Sequence, residues 1–198
     1  MRLTAAVALA GAALLLAAAA QNPASRISLA LVGAPSTRAH LVLATPAIAQ
    51  DGAIDPRYSN YGDNRSPPLG WNAVPGAAAY AIVVEDTDAP SPQPFVHWMI
   101  WNIPAGGTLL REHVPNVGAV PAPAGAVQGR NHSGTWGYFG PRPPIGSGVH
   151  HYHFQIFALD RLLNLPGSAE LSDLTTAMKG HVLAKGELVG TYAAPRAQ

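Results

Sequence analysis

The chain has 198 residues, enough for one domain with a sizeable core, and its 48% hydrophobic and 12% charged content excludes an intrinsically disordered protein. A formal charge of +1, carried by scattered arginines and lysines, provides no basic face, so nucleic acid is not expected as a partner. Cysteine is absent, which excludes disulfides, thiolate metal sites, a cysteine nucleophile and a cysteine-linked lipid anchor.

At the N-terminus, Arg2 precedes the largely apolar run Leu3 to Ala20, and Ala18-Ala-Ala20 offers a small-residue cleavage site. This predicts a signal peptide over residues 1–20 and export to the periplasm or the medium. The run is also near spanning length, so a retained anchor is the alternative. Residues 21–38, with Pro, Ser and Gly, read as a linker, and residues 39–198 as one domain without internal repeats. Ala47-Ile-Ala49-Gln50 imitates a second cleavage site, but the apolar stretch before it is too short, and Leu41–Leu43 reads as the first strand.

Further strands are expected at Ala79–Glu85, His97–Asn102, Val149–Leu159 and Leu188–Tyr192. The continuous apolar run from Tyr80 to Val84 suits a strand buried on both faces. With 20 Gly and 19 Pro marking many turns, the prediction is a mainly β domain. One helix is expected near the C-terminus, capped by Ser172, with Leu174, Ala177, Met178, His181 and Val182 on its apolar stripe and Gly180 as a weak point. His181 would then be a buried histidine bonded to backbone. Between Pro104 and Gly148 the chain is rich in Gly, Pro and Asn. A connection that long in a compact domain is usually functional.

Side chains alternate faces along a strand. In Val149–Leu159, His150 and Tyr152 therefore share the inward row of Phe154, Ile156 and Ala158, while His151 and His153 fall on a more polar face. His97 would align with Met99 and Trp101, and Asp86 and Asp88 would share a face if the strand continued through them. Alternatively, Asp86, Asp88 and Pro90 build only a turn. These groups read as a small polar pocket at strand ends. A carboxylate beside His97 or His150 is expected to raise the histidine pKa. No metal is expected, since His151-x-His153 faces outward without a third ligand at characteristic spacing. Ser66, Ser91 and Ser147 lack the G-x-S-x-G elbow, so a serine hydrolase is not expected, and no nucleotide-binding glycine fingerprint occurs.

Asn64-Arg-Ser66-Pro-Pro-Leu69, Asp86-Thr-Asp88-Ala-Pro90, His97-Trp98, Asn102-Ile-Pro104, Gly140-Pro-Arg142-Pro-Pro144, His150-His-Tyr152 and Gly190-Thr-Tyr192 occur in a telling order. Over about Leu41 to Tyr192 the chain resembles the phosphatidylethanolamine-binding protein family, in its bacterial Raf-kinase-inhibitor-like branch. The resemblance implies an antiparallel β-sandwich-like Greek-key fold with a few short peripheral helices. It also implies a pocket for a small anionic or zwitterionic ligand such as phosphate or a phospholipid head group, without a cofactor. Asp86, His97, His150 and Tyr152 would line that pocket, with Gly140 and Pro143 on its rim and Asp88 close by as a further ligand-binding residue. Arg142 stands where many relatives carry a small residue and would add a cation there. The reading is a binding protein rather than an enzyme. The alternative is a hydrolase or lyase using the His/Asp pocket on a small phosphorylated or carbonyl substrate, and a homodimer is left open.

Overall fold

The computed structural model describes residues 26–196, so the expected leader lies outside the described residues. In chain order the elements are α1 (Ser28–Leu31), β1 (Leu43–Ala44), β2 (Leu69–Trp71), β3 (Ala79–Asp86), β4 (Phe95–Pro104), β5 (Leu109–Leu110), β6 (Val127–Gln128), β7 (Val149–Leu159), α2 (Leu171–Met178) and β8 (Val182–Ala193). A five-stranded sheet runs β6-β4-β3-β7-β8 and a three-stranded one β1-β2-β5, with every adjacent pair antiparallel. The expected mainly β fold of antiparallel sheets is thus observed.

The large sheet buries both faces, which is why β3 reads as an unbroken apolar run and is buried throughout. Tyr80, Ile82, Val84, Trp98, Ile100, Phe154 and Ile156 pack toward the small sheet with Leu43, Leu69 and Leu110. Ala81, Val83, Met99, Trp101 and Phe157 pack on the other side against Leu174 and Met178 of α2. The strand order places the ends of β3, β4 and β7 side by side, with Asp86 opposite both Phe95 and Tyr152.

Three expectations change. Helix α2 starts at Leu171 behind Glu170, whose N–H donates to Asp173 Oδ2 at 2.9 Å, so Ser172 is not its cap. It ends at Met178 because Gly180 turns the chain at φ +79°, and Val182 already belongs to β8. His181 is therefore not a core histidine; its Nδ1 lies 3.1 Å from Asp160 Oδ1 at a half-exposed position. Finally, the stretch read as a linker is built into the domain from Ile27. Ile27 and Val32 are 3% exposed, Ser28 N–H donates to the buried Glu85 Oε2 at 2.8 Å, and Lys185 Nζ donates to the carbonyls of Leu29 and Gly33 at 2.6 and 2.7 Å. Two apolar residues sufficed to dock a segment whose composition looked like a tether.

Candidate functional site

Asp86 ends β3 and His150 is the second residue of β7, so neighbouring strands deliver the two side chains to one place. His150 Nδ1 lies 2.7 Å from Asp86 Oδ2, and the side chains are 3% and 5% exposed. Asp86 Oδ1 accepts the N–H of Asp88 at 2.8 Å, which bends the chain off the sheet. Asp88 consequently does not share a face with Asp86. Its Oδ2 takes the His151 N–H at 2.7 Å and the ring Nδ1 at 2.8 Å, outside the cavity. His153 is likewise held on the outer face, 2.7 Å from Glu187 Oε1.

His97 reaches the site through a bulge. Glu85 pairs with Val96 and Val84 with Trp98, so β4 carries one residue more than β3 here. Strict alternation would set His97 beside Met99 and Trp101. Instead the bulge places it with Phe95, ring centroids 4.9 Å apart, and against Tyr152 at 5.1 Å, while Met99 and Trp101 enter the opposite core. The expectation of an inward His97 holds, but its partners were misassigned.

Together these groups border a cavity of about 380 Å³. Asp86, His97, Arg142, Pro143 and His150, five of the residues named from sequence, line it. Phe139, Pro144, Ala89 and Pro90, which lie in the two segments read as pocket and rim, line it too, whereas Phe95 and Ser91 were missed; the clue to Phe95 was its place two residues before His97. Tyr152, expected in the lining, is not part of it; its ring packs against His97 at 5.1 Å. Its hydroxyl is buried without a hydrogen-bond partner among the described residues, and burial, then the Asp86 charge, pushes its pKa up. Gly140 is structural: its N–H donates to Asn64 Oδ1 at 2.7 Å, and a Cβ there would lie 2.3 Å from the Tyr58 carbonyl oxygen.

The electrostatics of His97 reverse the sequence expectation. Burial lowers its pKa from 6.5 to about 4; the Phe139 carbonyl and the Asp86 charge act the other way and are outweighed. The ring is therefore neutral at neutral pH, with Nδ1–H donating to Phe139 O at 2.6 Å and Nε2 left as an acceptor.

A residue excluded on motif grounds also arrives at the site. Ser147 Oγ lies 2.9 Å from His150 Nε2 and 2.8 Å from the Pro144 carbonyl oxygen. Its signal in the sequence is only its position three residues before His150, in a turn flanked by Gly146 and Gly148. Among the described residues no group of three or more His, Asp or Glu is placed to hold a metal ion. A larger cavity, about 670 Å³, opens on the other face of the large sheet and includes Glu85 and Arg130.

Residues 44–193 match the family model of phosphatidylethanolamine-binding protein. A UPF0098 protein of Methanothermobacter thermautotrophicus is 48% identical over 151 residues, covering 76% of this chain and 97% of its own length. LppC of Mycobacterium tuberculosis, which carries a lipoprotein name, is 36% identical over 77% of this chain and 72% of its own length. Among solved structures, Escherichia coli YbcL, described as a new member of the mammalian PEBP family, superposes with a TM-score of 0.73 at 29% identity, covering 79% of this chain and 100% of that one. Sequence order, sheet topology and these matches agree: the chain belongs to the phosphatidylethanolamine-binding protein family.

Proposed function

We propose that this is an exported protein that binds a small anion, phosphate or a phosphorylated head group, in the Asp86/His97/His150 cavity. The observation that carries the reading is a cavity lined by the Arg142 cation and by the buried Asp86, His97 and His150, with the buried, unpartnered hydroxyl of Tyr152 on a ring packed against His97. A buried hydroxyl without a partner costs free energy that a ligand acceptor would recover. Arg142 supplies a charge-assisted donor at the entrance, and Asp86 holds the His150 ring in a fixed orientation. The family's name and the lipoprotein name of one relative point the same way, toward a phosphorylated head group and toward export.

His97 gives the binding a pH signature. An anion beside it favours the imidazolium and raises its pKa from about 4, so affinity rises as pH falls. Inorganic sulfate, which keeps its charge, is the probe for this effect, measured by calorimetry between about pH 5 and 8, the range of ordinary histidine titration. Inorganic phosphate at about 100 times its dissociation constant should stabilise the fold by about 2.7 kcal/mol, a melting shift of about 5–10 °C. Tyr152→Phe should weaken phosphate binding roughly tenfold, one buried hydrogen bond to a charged group. Phosphoethanolamine and phosphatidylethanolamine vesicles separate a free phosphate from a head group. If none of these probes shifts the melting temperature, the cavity does not bind anions.

A further inference from the structure

We propose that Ser147, His150 and Asp86 form a nucleophilic relay that moves the acyl group of a small carboxylic ester onto Ser147 and then to water. Such a relay is recognised by geometry and roles rather than by order in the chain. Here Asp86 Oδ2 accepts from His150 Nδ1–H at 2.7 Å, which fixes the tautomer and turns the Nε2 lone pair toward Ser147 Oγ at 2.9 Å. The serine hydroxyl has one proton and two acceptors at nearly equal distance, Nε2 and the Pro144 carbonyl at 2.8 Å. Rotation about the Cβ–Oγ bond alone converts the resting arrangement into the reactive one.

The surroundings divide the labour as nucleophilic catalysis requires. Asp86 and His150 are buried, so the base is held in a fixed orientation, whereas Ser147 is exposed and open to a substrate and to water. Gly146 and Gly148 flank it in open space, since a Cβ on either would meet nothing within 4 Å. Ser147 bonds to two residues of the cavity lining, His150 and Pro144, and that lining is largely apolar, with Phe95, Phe139, Pro143 and Pro144, which would take a short aliphatic or aromatic acyl group. Arg142 on the same rim is the cation available to the developing oxyanion.

In the first step Ser147 Oγ bonds to the carbonyl carbon as its proton passes to His150 Nε2. Collapse of the tetrahedral species breaks the ester C–O bond, and the alkoxide leaves with the proton from Nε2. Water then loses a proton to Nε2, attacks the acyl carbon, and releases the carboxylic acid; the returning proton restores Ser147. The Ser147 N–H is already donated to Pro144 O at 3.1 Å, so the serine's own amide does not serve the oxyanion. Each missing oxyanion donor costs about 10²–10³-fold in rate. Turnover is therefore slow, and covalent capture is the measurement of choice.

The test treats the full-length protein with a fluorophosphonate and follows intact mass and peptide mapping, alongside p-nitrophenyl butyrate hydrolysis. The expected result is one adduct, on Ser147, and a stoichiometric burst of nitrophenol. Ser147→Ala, on an exposed turn, should abolish both while folding normally. His150→Gln should slow adduct formation at least about tenfold if the histidine is the base. No adduct on Ser147, or an adduct formed equally fast in His150→Gln, overturns the relay. Acyl transfer shares the cavity with the proposed anion but needs none. Phosphate stabilisation without a Ser147 adduct would overturn only the relay, and the converse result only the anion.

Discussion

His97 is where a single residue makes the site's chemistry measurable as stability. Its folded pKa of about 4 lies below the ordinary 6.5, so the unfolded chain takes up the proton first as pH falls. The contribution is complete above pH 6.5 and is lost as pH falls through about 4; the gap corresponds to roughly 3 kcal/mol. Glu85 works in the opposite sense: burial raises its pKa above 4.5 against the hydrogen bonds from Ser28 and Gln155, so its stabilising protonated form is lost as pH rises. The two windows overlap, and only differences between wild type and variant separate them. We expect the stability gap between wild type and His97→Gln to shrink by roughly 3 kcal/mol from neutral pH to about pH 4, read by urea unfolding. A gap independent of pH would mean that His97 is not buried neutral. The neighbouring Gly140 offers a test without charge: Gly140→Ala forces a Cβ to within 2.3 Å of a backbone oxygen. It should cost about 1–3 kcal/mol, the usual penalty of overpacking, seen as a lower urea midpoint at unchanged slope.

At the scale of elements, β7 was legible to the residue, Val149–Leu159, because its period of two is uninterrupted and one face is wholly core. The same rule misplaced the partners of His97, since a bulge shifts the phase and no residue type announces one. The small sheet went largely unread for a different reason. Its strands β2 and β5 span only Leu69–Trp71 and Leu109–Leu110, too short for any period to show. Ser147 became visible only once a glycine-flanked turn folded it back onto His150. The N-terminal segment was misread because its worth lies in two buried side chains and a donated N–H, which composition averages away. That docking has a measurable size. A chain beginning at Ala34 loses the burial of Ile27 and Val32, at about 1.5–3 kcal/mol each as an upper estimate, and the Ser28 N–H on Glu85. Its urea midpoint should fall accordingly. An unchanged midpoint would show that residues 27–32 do not hold the sheet.

For the whole molecule, the docked segment links folding to processing. Two places along the first fifty residues resemble a signal-peptidase site, after Ala20 and after Ala49, and local motif alone separates them weakly. The fold separates them strongly. Cleavage after Ala20 leaves every described residue in place. Cleavage after Ala49 would remove β1 together with Leu41, Leu43 and Ala47, which are 3–5% exposed in the core between the sheets, and with them Ile27 and Val32. Losing five buried side chains, at about 1.5–3 kcal/mol for each fully buried Val, Leu or Ile and less for Ala, is comparable to the whole of the roughly 5–15 kcal/mol by which a domain of this kind is stable. A chain cut there would therefore be unfolded or close to it. If the proposed export holds, the full-length chain expressed in a bacterial host should accumulate outside the cytoplasm with a mature N-terminus upstream of Arg26. Intact-mass measurement of the exported fraction reads that terminus directly. A stable, folded product beginning at Gln50 would contradict the packing of the N-terminal segment, and an unprocessed chain in the membrane fraction would identify Leu3 to Ala20 as an anchor.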